Sequence, residues 1–263
     1  MLEERIKRVT DSKRTPWLAH YEENNSARVR LFCFPYSGGG AAIFKSWPHS
    51  LPTEIEVCPV QLPGRETRFK EAPFNRMELL TEAIGHGLSS YFDKPAAFFG
   101  HSLGALVSFE LIRLIRERHG LTPVHLFVSG CRAPHIEDSR SPLHILPDNE
   151  LIEELKRLRG TPQVLLDDSE FVRLLLPIFR ADLEISETYV HSIGRPLTCP
   201  ITAFGGLQDS EISSGEMDDW RVHTASDFML HMLPGDHFFI HTARQRILSV
   251  LSNKLGRYSE TNH

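Results

Sequence analysis

In the stretch Gly100-His101-Ser102-Leu103-Gly104, one serine stands between two glycines at a spacing that serves nucleophilic catalysis. A β-type apolar run, AAFF, precedes it, and a helical pattern, ALVSFELIRLIRER, follows. Strand, sharp turn and helix in that order expose a serine hydroxyl at the bend. The glycines are needed because the turn is tight and side chains there would meet neighbouring elements. Leu103 opens the helix, so its N–H points to where an oxyanion would form.

A serine hydroxyl is a weak nucleophile near neutral pH and needs a base. Fourteen histidines compete for that role. His237, in LPGDHFF, follows a late apolar run and a turn, which suits the chain order serine, acid, histidine. His231 falls inside that run and His241 in the next helical pattern, which are structural or exposed positions. The acid is expected in the loop after the preceding strand. There ITAFGGLQDS offers Asp209, beyond a Gly-Gly turn. Asp218 and Asp219 lie in a helical pattern, and Asp236, beside the histidine, would point elsewhere. Asp209 would accept the imidazole N–H, fix the tautomer and stabilise the imidazolium.

A second oxyanion donor is expected after the first core strand, in Phe34-Pro35-Tyr36-Ser37-Gly38-Gly39-Gly40. Its glycines let backbone N–H groups come close to a ligand. The Ser37 N–H takes this role, with Gly38 and Tyr36 as alternatives. A phosphate-binding loop is excluded, because Phe44 replaces the second glycine of that motif before Lys45-Ser46. His231, His237 and His241 show no ligand pattern, so no metal is expected.

These residues need a scaffold. The runs VRLFCF (29–34), IEVCPV (55–60), AAFFG (96–100), VHLFVSG (124–130), PITAFGG (200–206) and FMLHML (228–233) are almost continuously apolar, as in strands buried on both faces. Helical patterns over about 75–92, 102–119, 215–224 and 241–255 separate them, with Gly120 as a stop. The alternation predicts an α/β fold, a mostly parallel central sheet with helices on both faces. Residues 132–193 break the alternation with helical patterns alone. Asp148 is a candidate N-cap, Gly160 a candidate C-cap, and Pro177 interrupts a second helix. Residues 1–28, with the apolar pair Trp17-Leu18, are expected to be a loose lead-in, and GRYSETNH a frayed tail.

Composition narrows the class. The chain has 263 residues, 41% hydrophobic and 24% charged, enough for one large domain over 1–263. The formal charge of −5 disfavours nucleic acid. The opening residues lack a secretory signal and no run is long enough to span a membrane, so a cytoplasmic monomer is expected. Four cysteines without C-x-x-C spacing are expected to be buried free thiols. Arg65, Arg68 and Lys70 suit a solvated face, or contact with an acidic partner.

FCFPYSGGG, QLPGRETR, FFGHSLGALVSFEL, LFVSGCRAPH, RADLEISETY and GDHFF, in this order, resemble the type II thioesterases of the α/β-hydrolase superfamily. These are stand-alone editing enzymes of nonribosomal peptide and polyketide synthesis. The resemblance runs from about residue 17 to about 255. It implies hydrolysis of acyl thioesters on the phosphopantetheine arm of acyl or peptidyl carrier proteins, with no cofactor beyond the arm the substrate carries. It implies that 132–193 is a mobile lid over the acyl chamber. It places the triad on Ser102, Asp209 and His237 and the oxyanion donors on Ser37 and Leu103. Ser37 departs from the alanine many relatives carry, a change that could alter acyl preference. A carboxylesterase or lipase, an acyltransferase, and an idle hydrolase fold that binds carriers remain alternatives. Carrier docking near the lid and the Arg65 loop is the expectation from charge.

Overall fold

The computed structural model describes residues 15–161 and 163–260. Among the described residues, six strands form one sheet: β1 (Val29–Phe34), β2 (Ile55–Pro59), β3 (Ala96–His101), β4 (His125–Ser129), β5 (Ile201–Gly206) and β6 (Phe228–Leu233). Their order is β2-β1-β3-β4-β5-β6, and every neighbouring pair is parallel.

Alternate residues of each inner strand enter two separate cores. Phe32, Phe34, Phe98, Leu126, Val128 and Ala203 face one; Val29, Leu31, Cys33, Phe99, Phe127 and Phe204 face the other. Helices α1 (Met77–Gly87) and α2 (Leu103–His119) cover the first face. The C-terminal helix α8 (Arg244–Glu260) covers the second with Ile247, Leu248, Leu251 and Leu255. Both faces are therefore dry, which is why the strands read as unbroken apolar runs. β6 departs from that reading. It is an edge strand, mostly half-exposed, with Met229 42% accessible. The four cysteines are free thiols, and only Cys131 is not fully buried.

Between β4 and β5 lie α3 (Asp148–Leu158), α4 (Gln163–Leu166) and α5 (Ser169–Glu187). Leu151, Leu155, Leu166, Val172, Leu176 and Phe179 give this insertion a small core of its own. Three local expectations are corrected. The N-cap of α3 is Pro147, not Asp148, which pairs instead with Arg180 of α5. Arg159, at φ +58°, takes the left-handed C-cap position expected of Gly160. Gly160 is reserved for packing, because a β-carbon there would lie 2.1 Å from the Phe238 ring. Pro177 sits inside a helix that runs on through it. After β5 come α6 (Ser214–Asp218), capped by a Ser213–Glu216 box, and, past β6, α7 (Phe239–Thr242).

The ends are better ordered than expected, within the described residues. Trp17 is buried, its ring is 4.1 Å from the Arg68 guanidinium, and it packs on Gly87, whose β-carbon would meet it at 2.0 Å. Leu18 bridges Val60. Residues 1–14 lie outside the described residues. At the other end α8 includes 256–260, and the Tyr258 hydroxyl donates to the Val124 carbonyl at 2.9 Å.

The strand order sets the site. From β1 the chain steps to β2 on one side; from β3 onward it moves to the other. The loops leaving β1 and β3 thus diverge and open a crevice at the carboxyl ends of the strands, where ligands of open α/β sheets bind.

Candidate active site

Ser102 stands between β3 and α2 with φ +53° and ψ −122°. A non-glycine residue in such a conformation costs on the order of 1–3 kcal/mol and must be held by its surroundings. The Ser102 N–H donates to the Ser129 carbonyl at 2.7 Å, at the end of β4. A β-carbon on Gly100 would lie 2.1 Å from the Gly104 carbonyl oxygen, and one on Gly104 would lie 2.3 Å from the Phe34 carbonyl oxygen. Both glycines let α2 close onto the sheet, and the bend aims the serine into the crevice.

β5 and β6 deliver the partners. Their following loops are zipped together. Leu207 N–H donates to the Leu233 carbonyl at 2.7 Å and Gln208 N–H to the Gly235 carbonyl at 2.9 Å. Gly205 and Gly206, expected as a turn, belong to β5. Gly206 has no room for a side chain, because the Gly235 and Asp236 carbonyls would lie 2.7 Å from it. This packing brings Asp209 to His237, whose Nδ1 lies 2.8 Å from Asp209 Oδ2. A carboxylate oxygen only accepts, so Nδ1 carries the proton and Nε2 is the acceptor. His237 Nε2 lies 3.2 Å from Ser102 Oγ. The remaining oxygen, Asp209 Oδ1, accepts the N–H groups of Glu211 and Ile212 at 2.8 and 3.2 Å. The Asp209 side chain is 1% exposed, and its charge is matched by these donors.

Two of the competing acids are occupied elsewhere. Asp236 accepts the Phe238 N–H at 3.0 Å, and Asp218 pairs with Arg221. His231 stacks on Phe204, and His241 Nε2 lies 3.0 Å from the Tyr36 hydroxyl.

In the loop after β1, the Gly39 N–H donates to the Tyr36 carbonyl at 2.9 Å. This closes a turn around Ser37 and Gly38. Gly38 has φ +75°, the conformation that a type II turn demands at its third residue. The Gly38 N–H donates to Asp182 Oδ2 at 2.7 Å, which removes it as an oxyanion donor. Among the described residues, the Ser37 and Leu103 N–H groups donate to no protein acceptor.

Sequence reading missed three residues here. His101 is fully buried beside His237. Arg65 and Arg68, expected on a solvated face, are 5% and 7% exposed. Arg65 makes a bidentate pair with Asp182 of α5, at 2.6 and 2.8 Å. The signal was present: Asp182 lies three residues from Phe179 and Ile185, so the apolar face of a helix carries a carboxylate, which must find a partner.

Sheet order, crevice and strained serine define an α/β-hydrolase fold. Residues 29–255 match the family model described as a thioesterase domain, and the chain belongs to that family. It is 43% identical over 239 residues to the gramicidin S biosynthesis protein GrsT of Aneurinibacillus migulanus, covering 91% of this chain and 93% of that protein. It is also 43% identical over 245 residues to a protein of Brevibacillus parabrevis named linear gramicidin dehydrogenase LgrE, covering 92% of this chain and 93% of that protein. Among solved structures it resembles RedJ, a thioesterase from the prodiginine pathway of Streptomyces coelicolor. The TM-score is 0.84 and the identity 38%, over 92% of this chain and 96% of that chain.

Proposed function

We propose that the protein hydrolyses acyl thioesters carried on the phosphopantetheine arm of carrier proteins, removing aberrant acyl groups during nonribosomal peptide or polyketide synthesis. The hydrogen-bonded series Asp209, His237, Ser102 carries this reading. Membership of the thioesterase family and similarity to proteins of such pathways support the substrate class. The dehydrogenase name of one relative is not transferred, because a serine, a histidine and an aspartate in series are suited to acyl transfer.

His237 Nε2 takes the hydroxyl proton as Ser102 Oγ attacks the thioester carbonyl. The N–H groups of Leu103 and Ser37 bind the oxygen as it gains charge. Each such donor is worth about 3 kcal/mol to the transition state. The C–S bond breaks, and the thiol leaves with the proton that His237 returns. Water then enters. His237 takes its proton, hydroxide adds to the acyl ester, and Ser102 leaves as the alcohol. Asp209 stabilises the imidazolium in both halves. The insertion at 132–193 serves as a mobile lid over the acyl group, and the enzyme works as a monomer.

The test is release of acetyl and longer acyl groups from a phosphopantetheinylated carrier protein, wild type against Ser102→Ala. Release by wild type alone is expected. Release by neither, with hydrolysis of simple oxygen esters intact, would replace the reading with an esterase.

A further inference from the structure

The Asp182 carboxylate is 2% exposed and lies on α5, 144 residues from the Gly38 N–H it accepts. The charge is matched by the Arg65 guanidinium, which also donates to the Gly39 carbonyl at 3.2 Å. Arginine and aspartate thus grip both sides of the turn that presents the Ser37 N–H. Phe179, one helical turn before Asp182, closes over the same glycine. A β-carbon on Gly38 would lie 2.2 Å from its ring.

The turn needs this grip. Its own hydrogen bond, Gly39 N–H to Tyr36 carbonyl, closes the turn on itself but ties it to nothing around it, so it does not set where the Ser37 N–H, in the Tyr36–Ser37 peptide, sits relative to Leu103. A contact outside the turn must anchor it, and the acceptor that does so, Asp182, belongs to the insertion rather than to the sheet. The insertion also touches the histidine loop, where Gly160 abuts Phe238.

We propose that Asp182 is a positioning residue: paired with Arg65, it holds the Gly38 N–H so that the Ser37 N–H is fixed for catalysis only while the insertion is seated on the site. Seating the insertion and completing the oxyanion donors become one event. Lifting α5 withdraws the carboxylate, leaves Arg65 without its partner and frees the turn that carries the Ser37 N–H. This rests on the hydrolase reading of Ser102.

The test separates positioning from stability. Asp182→Leu alone buries Arg65 unpaired and lowers Tm. The double variant Arg65→Met/Asp182→Leu replaces the pair with apolar groups of similar size, so it is expected to keep the fold. It restores no acceptor for Gly38. The double variant is expected to react with a fluorophosphonate probe at Ser102 roughly ten- to hundredfold more slowly than wild type, at unchanged Tm. Its kcat on an acyl-pantetheine should fall by the same factor, with KM within about twofold. Asp182→Asn, which keeps an acceptor, should recover part of the rate. A folded double variant that labels at the wild-type rate would overturn the proposal. Hydrogen exchange on the wild type gives a second reading, should that variant not fold. The Gly38 amide is expected to be protected together with α5, and free exchange there while α5 stays protected would also overturn it. Probe labelling does not depend on the natural acyl donor. Normal labelling without release from carrier protein would therefore refute the proposed substrate and leave this test standing, whereas no labelling of wild-type Ser102 would refute both.

Discussion

The imidazole of His101 donates from Nε2 to the backbone carbonyl of His237 at 2.9 Å. A carbonyl only accepts, so Nε2 holds the proton and Nδ1 accepts from the Ser129 hydroxyl at 2.8 Å. Burial, with the His237 ring nearby, pushes the His101 pKa well below the usual histidine value. A neutral ring thus braces the residue that faces Ser102. His101→Leu removes the brace and is expected to lower kcat roughly ten- to hundredfold, through misplacement of His237. His101→Gln, which can still donate, should lose less. Steady-state kinetics on an acyl-pantetheine checks this, and a fully active leucine variant would show the brace is dispensable.

Asp209→Asn keeps an oxygen for the Glu211 and Ile212 N–H groups but can turn an NH₂ toward His237 Nδ1. The imidazole proton then moves to Nε2, and the acceptor for the serine proton is lost. Acylation of Ser102 should fall by about 10⁴ while Tm changes little. Single-turnover acylation with a chromogenic ester measures it.

Gly104→Ala sets a β-carbon 2.3 Å from the Phe34 carbonyl oxygen, a backbone atom that cannot move aside. The variant is expected to accumulate in the insoluble fraction, or to melt far below wild type. Thermal melting against a control at Gly256, where a β-carbon meets nothing within 4 Å, separates this from generic loss of glycine.

Several histidines are held neutral by burial. Their pKa values fall to about 3 at His125 and about 4 at His223, and are lowered at His101, His191 and His231. Unfolded histidines take protons near pH 6.5, while the folded ones resist, so acid favours unfolding. Stability should be full above about pH 6.5 and fall as pH drops from there toward the folded values. His125→Gln can keep the contact with Thr202 without titrating. Its loss of stability between pH 7.5 and 5 should be smaller than wild type by about 2 kcal/mol. Urea unfolding at both pH values tests the difference; equal losses would refute it.

The six strands were legible because both faces of the sheet are covered, and Ser102, Asp209 and His237 because each follows the end of a strand in a fixed order. β6 was misread because an apolar run does not reveal that its strand lies at an edge. Local patterning shows that Asp182 needs a partner but not that Arg65 supplies it, since the two are 117 residues apart. The anchoring of Trp17 was hidden for the same reason: a polar, charged context reads as loose chain until Gly87 and Arg68 arrive beside it.

The burial of the cysteines has a consequence at the bench. Burial pushes Cys131 and Cys199 up to about 12, and Cys33 and Cys58 well above the ordinary thiol range. Only the thiolate exchanges with a disulfide. At pH 8 a thiol with a pKa near 12 is ionised to about one part in 10⁴. An aromatic disulfide dye added to the reaction is therefore expected to react with released pantetheine far faster than with the protein, where the half-buried Cys131 would be the first thiol marked. Turnover can be followed continuously on the wild-type chain, with no cysteine replaced.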